Sequence, residues 1–525
     1  MRAAIVVPML LAVAAAAGCG GKPEEPGEVR EFVYVSGAEP ETLDPARMTG
    51  LLEGRLANGL FEGLTTYDPA TLAPLPGVAE KWDVSPEGLT YTFHLREAQW
   101  SNGDPITSGD FAYSWRRVLD PKTAASYAYL MYCIRGAEAF NEGRERDFRT
   151  VGIEVADDRT FRVHLARVTP YFLELTAFST FMPVHRKTVE KFSPKWTAPE
   201  NFVGNGPFVL KEWRINSRIV MDRNPKYWDA ANVVSDRIVA LPIESASTAF
   251  NAYEEGRADL ITTVPLPQVV HLQRRPDFHN SDYLGTYYFT FNVTRPPFDD
   301  VRVRRAFNCA ADKQRLVRYI LRGGQKAADT FVPPGIPGYP AVKGPRFDPH
   351  LAAELLAKAG YPAGKGFPKV ELLYNSSESH KHIAEVLQDM WKENLGVSIE
   401  LVNLEWKTYL DALRRKDYQL ARAGWIGDYV DPNTFLDLFV TGGGNNRTGW
   451  GNTQYDSLIR AAGREPDPAR RMAVFTRAEA ILIDEMPVMP LYFYRVHNMY
   501  RKGVVGVYPN IRNLILLKHL GKAKQ

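Results

Sequence analysis

The sequence predicts an α/β protein with mixed sheets, divided into more than one domain. Three observations lead there. Short strand patterns alternate with helical ones along most of the chain. Glu371–Tyr374 and Ile399–Val402, both rich in apolar residues, bracket a helical stretch from His380 to Leu395, a β-α-β unit. The chain has 525 residues, more than the ~250–300 that one core supports, so two or three domains are expected.

The elements follow in order. Phe32–Val35 reads as a strand, closed by Ser36-Gly-Ala-Glu39-Pro40 and the turn Thr42-Leu-Asp-Pro45. A helix is expected within Gly54–Leu64. Tyr91–Leu95 alternates as a strand, with Thr92 and His94 opposite the apolar set. Trp100-Ser-Asn-Gly-Asp104 is a turn, and Thr107-Ser-Gly-Asp110 precedes a helix over Phe111–Val118. Asp157-Asp158 joins Ile153–Val155 to Thr160–Leu165 as a hairpin. Phe208–Leu210 is a strand, Ser245–Gly256 a helix and Ala258–Leu260 a strand. Tyr287–Asn292 is a further strand, and Pro296-Pro-Phe-Asp-Asp300 introduces a long helix over Val301–Leu321. Its Arg302, Arg304 and Arg305 read as a solvated face. Arg470–Asp484 is a helix and Val488–Tyr494 the last clear strand.

One stretch organises the rest, Arg422-Ala-Gly-Trp-Ile-Gly-Asp-Tyr-Val-Asp-Pro432. Tyr418–Trp425 alternates as a strand. Gly424 and Gly427 flank Trp425 and Ile426, and glycine within a strand pattern marks close approach of another backbone. Asp428 ends the strand with no cation beside it in sequence. Asp431-Pro432 starts a helix over Asn433–Val440. Two readings fit: a strand edge that pairs with a ligand backbone and ends in a carboxylate for a cation, or a buried strand with a turn aspartate.

Composition excludes some classes. Lys plus Arg is 64 and Asp plus Glu 61, which gives no basic stripe for nucleic acid. Nucleophile elbow, zinc-protease, phosphate-loop and dinucleotide fingerprints are all missing. His380 and His382 fall on different sides of a helix and do not share a metal. An enzyme, a metal site and a cofactor are therefore not expected. Met1-Arg2 followed by apolar Ala3–Ala17 reads as an export signal. Ala16-Ala-Gly-Cys19 is similar to a lipobox, with Ala16 where leucine is usual; an ordinary cleavage site nearby is the alternative. Residues 20–29 have a linker's composition. Cys133 and Cys309 read as two buried free thiols rather than a pair.

Further motifs carry a family resemblance. They include Thr42-Leu-Asp-Pro45, Leu60-Phe-Glu-Gly-Leu64, Pro76-Gly-Val-Ala-Glu-Lys-Trp82 and Trp100-Ser-Asn-Gly-Asp-Pro105. Asp110-Phe-Ala-Tyr-Ser-Trp115, Arg223-Asn-Pro-Lys-Tyr-Trp228, Glu405-Trp-Lys-Thr-Tyr-Leu410 and Arg422-Ala-Gly-Trp425 continue them in order. The chain resembles the extracytoplasmic oligopeptide-binding proteins of bacterial peptide ABC importers, solute-binding protein family 5. The resemblance implies a two-lobed periplasmic binding protein-like fold (type II, cluster C) with an inserted domain. Residues 1–19 would be a lipoprotein signal peptide, lipidated at Cys19. Lobe I would comprise 30–50, 172–280 and 496–525, the inserted domain 51–171, and lobe II 281–495.

It also implies a function: capture of an oligopeptide between the lobes and delivery to the membrane subunits of an ABC permease. Binding of dipeptides, murein peptides or signalling peptides is the alternative. The protein would be a monomer in the periplasm or cell envelope, held by its lipid. Gly424 and Ile426 match backbone-pairing positions, and Asp428 matches the carboxylate that holds a peptide's α-ammonium. Glu39 and Tyr113 match ligand-contact positions. Arg422 and His380 match cations near peptide C-termini, and Trp406, Trp425, Tyr283, Tyr288 and Tyr494 match cleft-lining aromatics. Thr290, Leu321 and Leu413 depart from charged residues of the family.

Overall fold

The structure, a computed structural model, describes residues 29–340, 342–465 and 467–523. The export segment with Cys19, and the linker up to residue 28, lie outside the described residues.

The frame is one mixed sheet of eleven strands. In chain order its main strands are β1 (Glu31–Val35), β2 (Phe208–Arg214), β3 (Arg218–Arg223), β4 (Arg237–Leu241), β5 (Leu260–Ile261) and β6 (Phe278–Phe291). They continue with β7 (Val370–Asn375), β8 (Ile399–Leu404), β9 (Leu420–Ile426) and β10 (Val488–Tyr500). Their spatial order is β8-β7-β9-β6-β10-β5-β1-β4-β3-β2, with Lys326–Ala327 also paired to β10. β7 runs parallel to both β8 and β9, whereas β6 is antiparallel to β9 and β10.

Two large cores hang on this sheet, beside smaller ones. Phe32, Tyr34, Phe208, Ile219 and Ile238 form one with Ile515 and Leu517. Leu284, Phe289, Phe307, Trp391, Leu420 and Met489 belong to the other. β6 and β10 are the longest of these strands, with 14 and 13 residues. β6 pairs with β10 over Phe278–Asp282 and again over Thr286–Thr290, and the register slips between these two runs. Such irregularities bend and twist a strand pair locally. Tyr283, Leu284 and Gly285 thus mark the crossing between the lobes.

A third core forms under the four-stranded sheet of Ala79–Val84, Thr90–Leu95, Thr160–His164 and Ile153–Asp157. It is built on Phe93, Trp100, Phe111, Trp115 and Phe161. Packing crosses both ends of the 51–171 span. Helix Leu51–Leu60 buries Leu56, Ala57 and Leu60 in the first lobe, while Phe172, Leu175 and Phe181 pack into the insert.

Two local expectations are overturned. Val301–Leu321 is not one helix. It stops at Cys309, and Asp312 starts a new one by accepting the Arg315 N–H, followed by the wide-turned Leu316–Leu321. Arg304 is not on a solvated face. It is 4% exposed and donates to the carbonyls of Phe298, Asp299, Glu485 and Met486. Arg302 and Arg305 do face solvent, paired with Asp300 and Asp484. Cys133 and Cys309 are buried free thiols.

Candidate ligand-binding site

A cavity of about 460 Å³ lies between the lobes, within the ~300–1,000 Å³ usual for ligand pockets. Ser36, Gly37 and Arg55 line it from the first lobe, Trp406, Tyr409 and residues 422–428 from the second, and Tyr127 from the insert.

β9 supplies the central wall. β6 pairs with one edge of β9 from Leu420 to Ile426. On the other edge β7 pairs only at Leu420 and Ala421, then continues with β8 alone. From Arg422 to Ile426 that edge meets no strand among the described residues. The Tyr409 hydroxyl donates to the Arg422 carbonyl at its start. An unpaired strand edge is a template for another extended chain. Here it faces an enclosed cavity rather than bulk water.

Gly424 makes room for the side chains behind this edge. A β-carbon there would overlap the Tyr494 hydroxyl oxygen and come within 3.1 Å of Arg422 Nη2. That crowding is organised: Arg422 Nη2 donates to Tyr494 at 2.7 Å, and its guanidinium lies 4.6 Å from the Tyr287 ring centre.

Asp428 closes the strand. It is 9% exposed, and Thr434 Oγ1 stands 3.4 Å from Oδ2. Burial pushes its carboxyl up to about 7, opposed by the charge of Arg512 and the hydroxyls of Thr434 and Tyr127. Arg512 does not form an ion pair with it. Its Nε donates to the Gly427 carbonyl at 3.1 Å, and its Nη1 has no partner. Asp428 is thus a desolvated carboxylate without a bonded cation.

Further donors stand unpartnered around the cavity: Trp406 Nε1, Trp425 Nε1 and Arg422 Nε, with Ser36 Oγ opposite. Buried polar atoms are nearly always bonded, so this concentration is a feature of the site.

Eight of the anticipated residues line the cavity: Asp428, Gly424, Ile426, Trp425, Arg422, Trp406, Tyr288 and Tyr494. Four do not. The Glu39 carboxylate is taken by Trp213 Nε1 at 2.6 Å and the Asn216 N–H at 2.9 Å, so it braces the β2–β3 hairpin. Tyr113 packs at the edge of the first lobe's core beneath Arg186. Tyr283 lies one layer back against Tyr494. His380 sits behind β6, its Nδ1 3.3 Å from the Tyr287 hydroxyl. Burial and then the nearby Arg422 push its pKa well below the usual range, so it is neutral and is not a cation for a ligand. Sequence reasoning missed Arg55, Tyr127, Arg447 and Arg512, which come from four distant segments.

The lobes also touch directly. Glu41 pairs with Arg414 at 2.7 Å, and Ser245 and Ser247 donate to Glu378 at 2.9 and 2.7 Å. Arg414, beside the departure at Leu413, is therefore engaged across the cleft.

Residues 73–447 match the model of the bacterial extracellular solute-binding proteins, family 5. The chain belongs to this family. Among family 5 relatives, the oligopeptide-binding protein OppA of Bacillus subtilis is 36% identical over 96% of this chain and 97% of its own. The Haemophilus influenzae OppA complex with the peptide RPPGFSPFR superposes with a TM-score of 0.91 at 34% identity, over 95% of this chain and 99% of that one. Two structures of the murein peptide-binding protein MppA are informative as a pair. Both are 34% identical and cover 95% of this chain, with 99% and 98% of their own; one gives a TM-score of 0.91 and the unliganded open form 0.64. Sequence is constant in that comparison, so the drop reports lobe arrangement. This family 5 chain has the two-lobed periplasmic binding protein fold with its cleft shut.

Proposed function

We propose that this protein is the extracytoplasmic receptor of a peptide ABC importer. It encloses an oligopeptide between its lobes and passes it to the permease in the membrane. The observation that carries this reading is the bare edge of β9, Arg422–Ile426, which ends on the buried Asp428. An extended peptide adds to such an edge through main-chain bonds, so affinity does not depend on its side chains. Its α-ammonium meets Asp428, and each charge compensates the other's desolvation. Relatives named for oligopeptide binding support the same substrate class. On this reading the mature chain is a monomer in the periplasm or cell envelope, anchored through lipidated Cys19, and it performs no chemistry on its cargo.

Calorimetry with tri-, tetra- and pentaalanine, each free and N-acetylated, tests it. The free peptides bind, and acetylation weakens them by about 100-fold or more. Equal binding of the two forms contradicts the amine clamp, and no binding of either contradicts the substrate class.

A further inference from the structure

Arg447 is a half-buried cation. It lines the cavity, and its side chain donates from Nη2 to Asn445 Oδ1 at 3.1 Å. Tyr418 fixes the segment by donating to the Arg447 carbonyl at 2.7 Å. Among the described residues no carboxylate bonds it. Another cation, Arg414, acts on it, and that one is held by Glu41. Burial and this repulsion both disfavour its charge. A guanidinium is not deprotonated at neutral pH, so Arg447 brings to the cavity a positive charge with no carboxylate bonded to it.

Its position follows from the sheet. Residues opposite each other on paired strands point to the same face. Ala423 is opposite Tyr288, and Ala421 opposite Thr290. Tyr288, Thr290, Ala423 and Trp425 therefore share one face of β9, and Tyr127, Asn445 and Arg447 close a pocket over it. Gly424 and Arg422 belong to the opposite face, where Tyr494 and Tyr287 already occupy the Arg422 guanidinium. A peptide strand added to β9 sends alternate side chains to these two faces. One side is tyrosine-bound; the other presents a free charge.

Resting on the peptide reading above, we propose that Arg447 makes this receptor selective for an acidic side chain, aspartate or glutamate, at one position of its ligand. A glutamate there pairs the guanidinium, while a lysine adds to its charge.

Calorimetry on the full chain with tetraalanine and its four single-glutamate variants tests the inference. Glutamate at one position tightens binding about tenfold, and the same position disfavours lysine. In Arg447→Gln the glutamate-to-alanine affinity ratio falls to near one, and in Arg447→Glu the preference reverses to lysine. Reversal cannot come from a merely damaged fold. Bound tetraalanine with no glutamate preference at any position overturns this inference alone. So does a preference that survives in Arg447→Gln. Loss of the Arg447 effect on C-terminal amidation of tetraalanine also overturns it, because the guanidinium then holds the peptide's end. Tetraalanine that fails to bind overturns the peptide reading and this inference together.

Discussion

Gly424 and Tyr494 are packed so that residue 424 has no room for a side chain: its β-carbon would overlap the tyrosine hydroxyl that receives the Arg422 guanidinium. The bare edge and the charged wall behind it are therefore one construction. Gly424→Ala must displace the hydroxyl, and overpacking of this kind costs ~1–3 kcal/mol. Peptide affinity falls roughly tenfold, as titration calorimetry reads it. Tyr494→Phe removes the clashing atom, so Gly424→Ala costs less in that background than alone. An additive double mutant shows the two sites to be independent and rejects the coupling.

The pH dependence of binding reports Asp428. Its carboxyl is raised to about 7 by burial, and the ammonium binds the ionised form. Below that value affinity falls about tenfold per pH unit; above ~8 it falls again as the peptide amine loses its proton. Asp428→Asn abolishes the acid limb and weakens binding about 100-fold.

The same shift fixes a stability sign. A carboxyl raised on folding binds its proton more tightly in the folded state, so the contribution of Asp428 to the stability of the ligand-free protein is greatest below the unfolded value near 4. That contribution is lost as pH rises from ~4 to ~7. At pH 8 Asp428→Asn removes the strained charge and raises Tm of the ligand-free protein by about 2–4 °C, whereas at pH 4 it changes little. A fall in Tm at pH 8 contradicts this.

Closure rests partly on Glu41–Arg414, whose side chains are 27% and 35% exposed. Such a pair is worth ~0–1 kcal/mol. Glu41→Ala raises the peptide dissociation rate two- to fivefold, by about that energy, with Tm unchanged. Stopped-flow release measures it.

Arg304 predicts the opposite pattern. Its guanidinium gathers four backbone carbonyls within the second lobe. Arg304→Met leaves them unsatisfied and destabilises the protein by about 2–4 kcal/mol, read as a lowered denaturation midpoint. Affinity of the molecules still folded is unchanged.

These cases show what a sequence carries. The 422–428 stretch was legible because its signals are local: alternation, two glycines, then an aspartate at the strand's end. The β-α-β unit and the 153–165 hairpin were legible for the same reason. Glu39 was not, because its carboxylate is claimed by Trp213 and Asn216 from a hairpin far along the chain. Arg304 looked solvated because a helix start has no visible lid until Glu485 and Met486 return over it. Arg447 and Arg512 carry no local pattern; only folding brings them to the cavity. The motif positions on β9 line the cavity, whereas Glu39 and His380 are turned away by partners from other segments.

The most direct measurement is a crystal structure of the protein bound to tetraalanine. The account predicts an extended peptide paired with the free edge at Gly424 and Ile426, its α-nitrogen about 3 Å from an Asp428 carboxylate oxygen. A peptide held elsewhere in the cleft, with that edge unpaired and Asp428 apart from the amine, would contradict it.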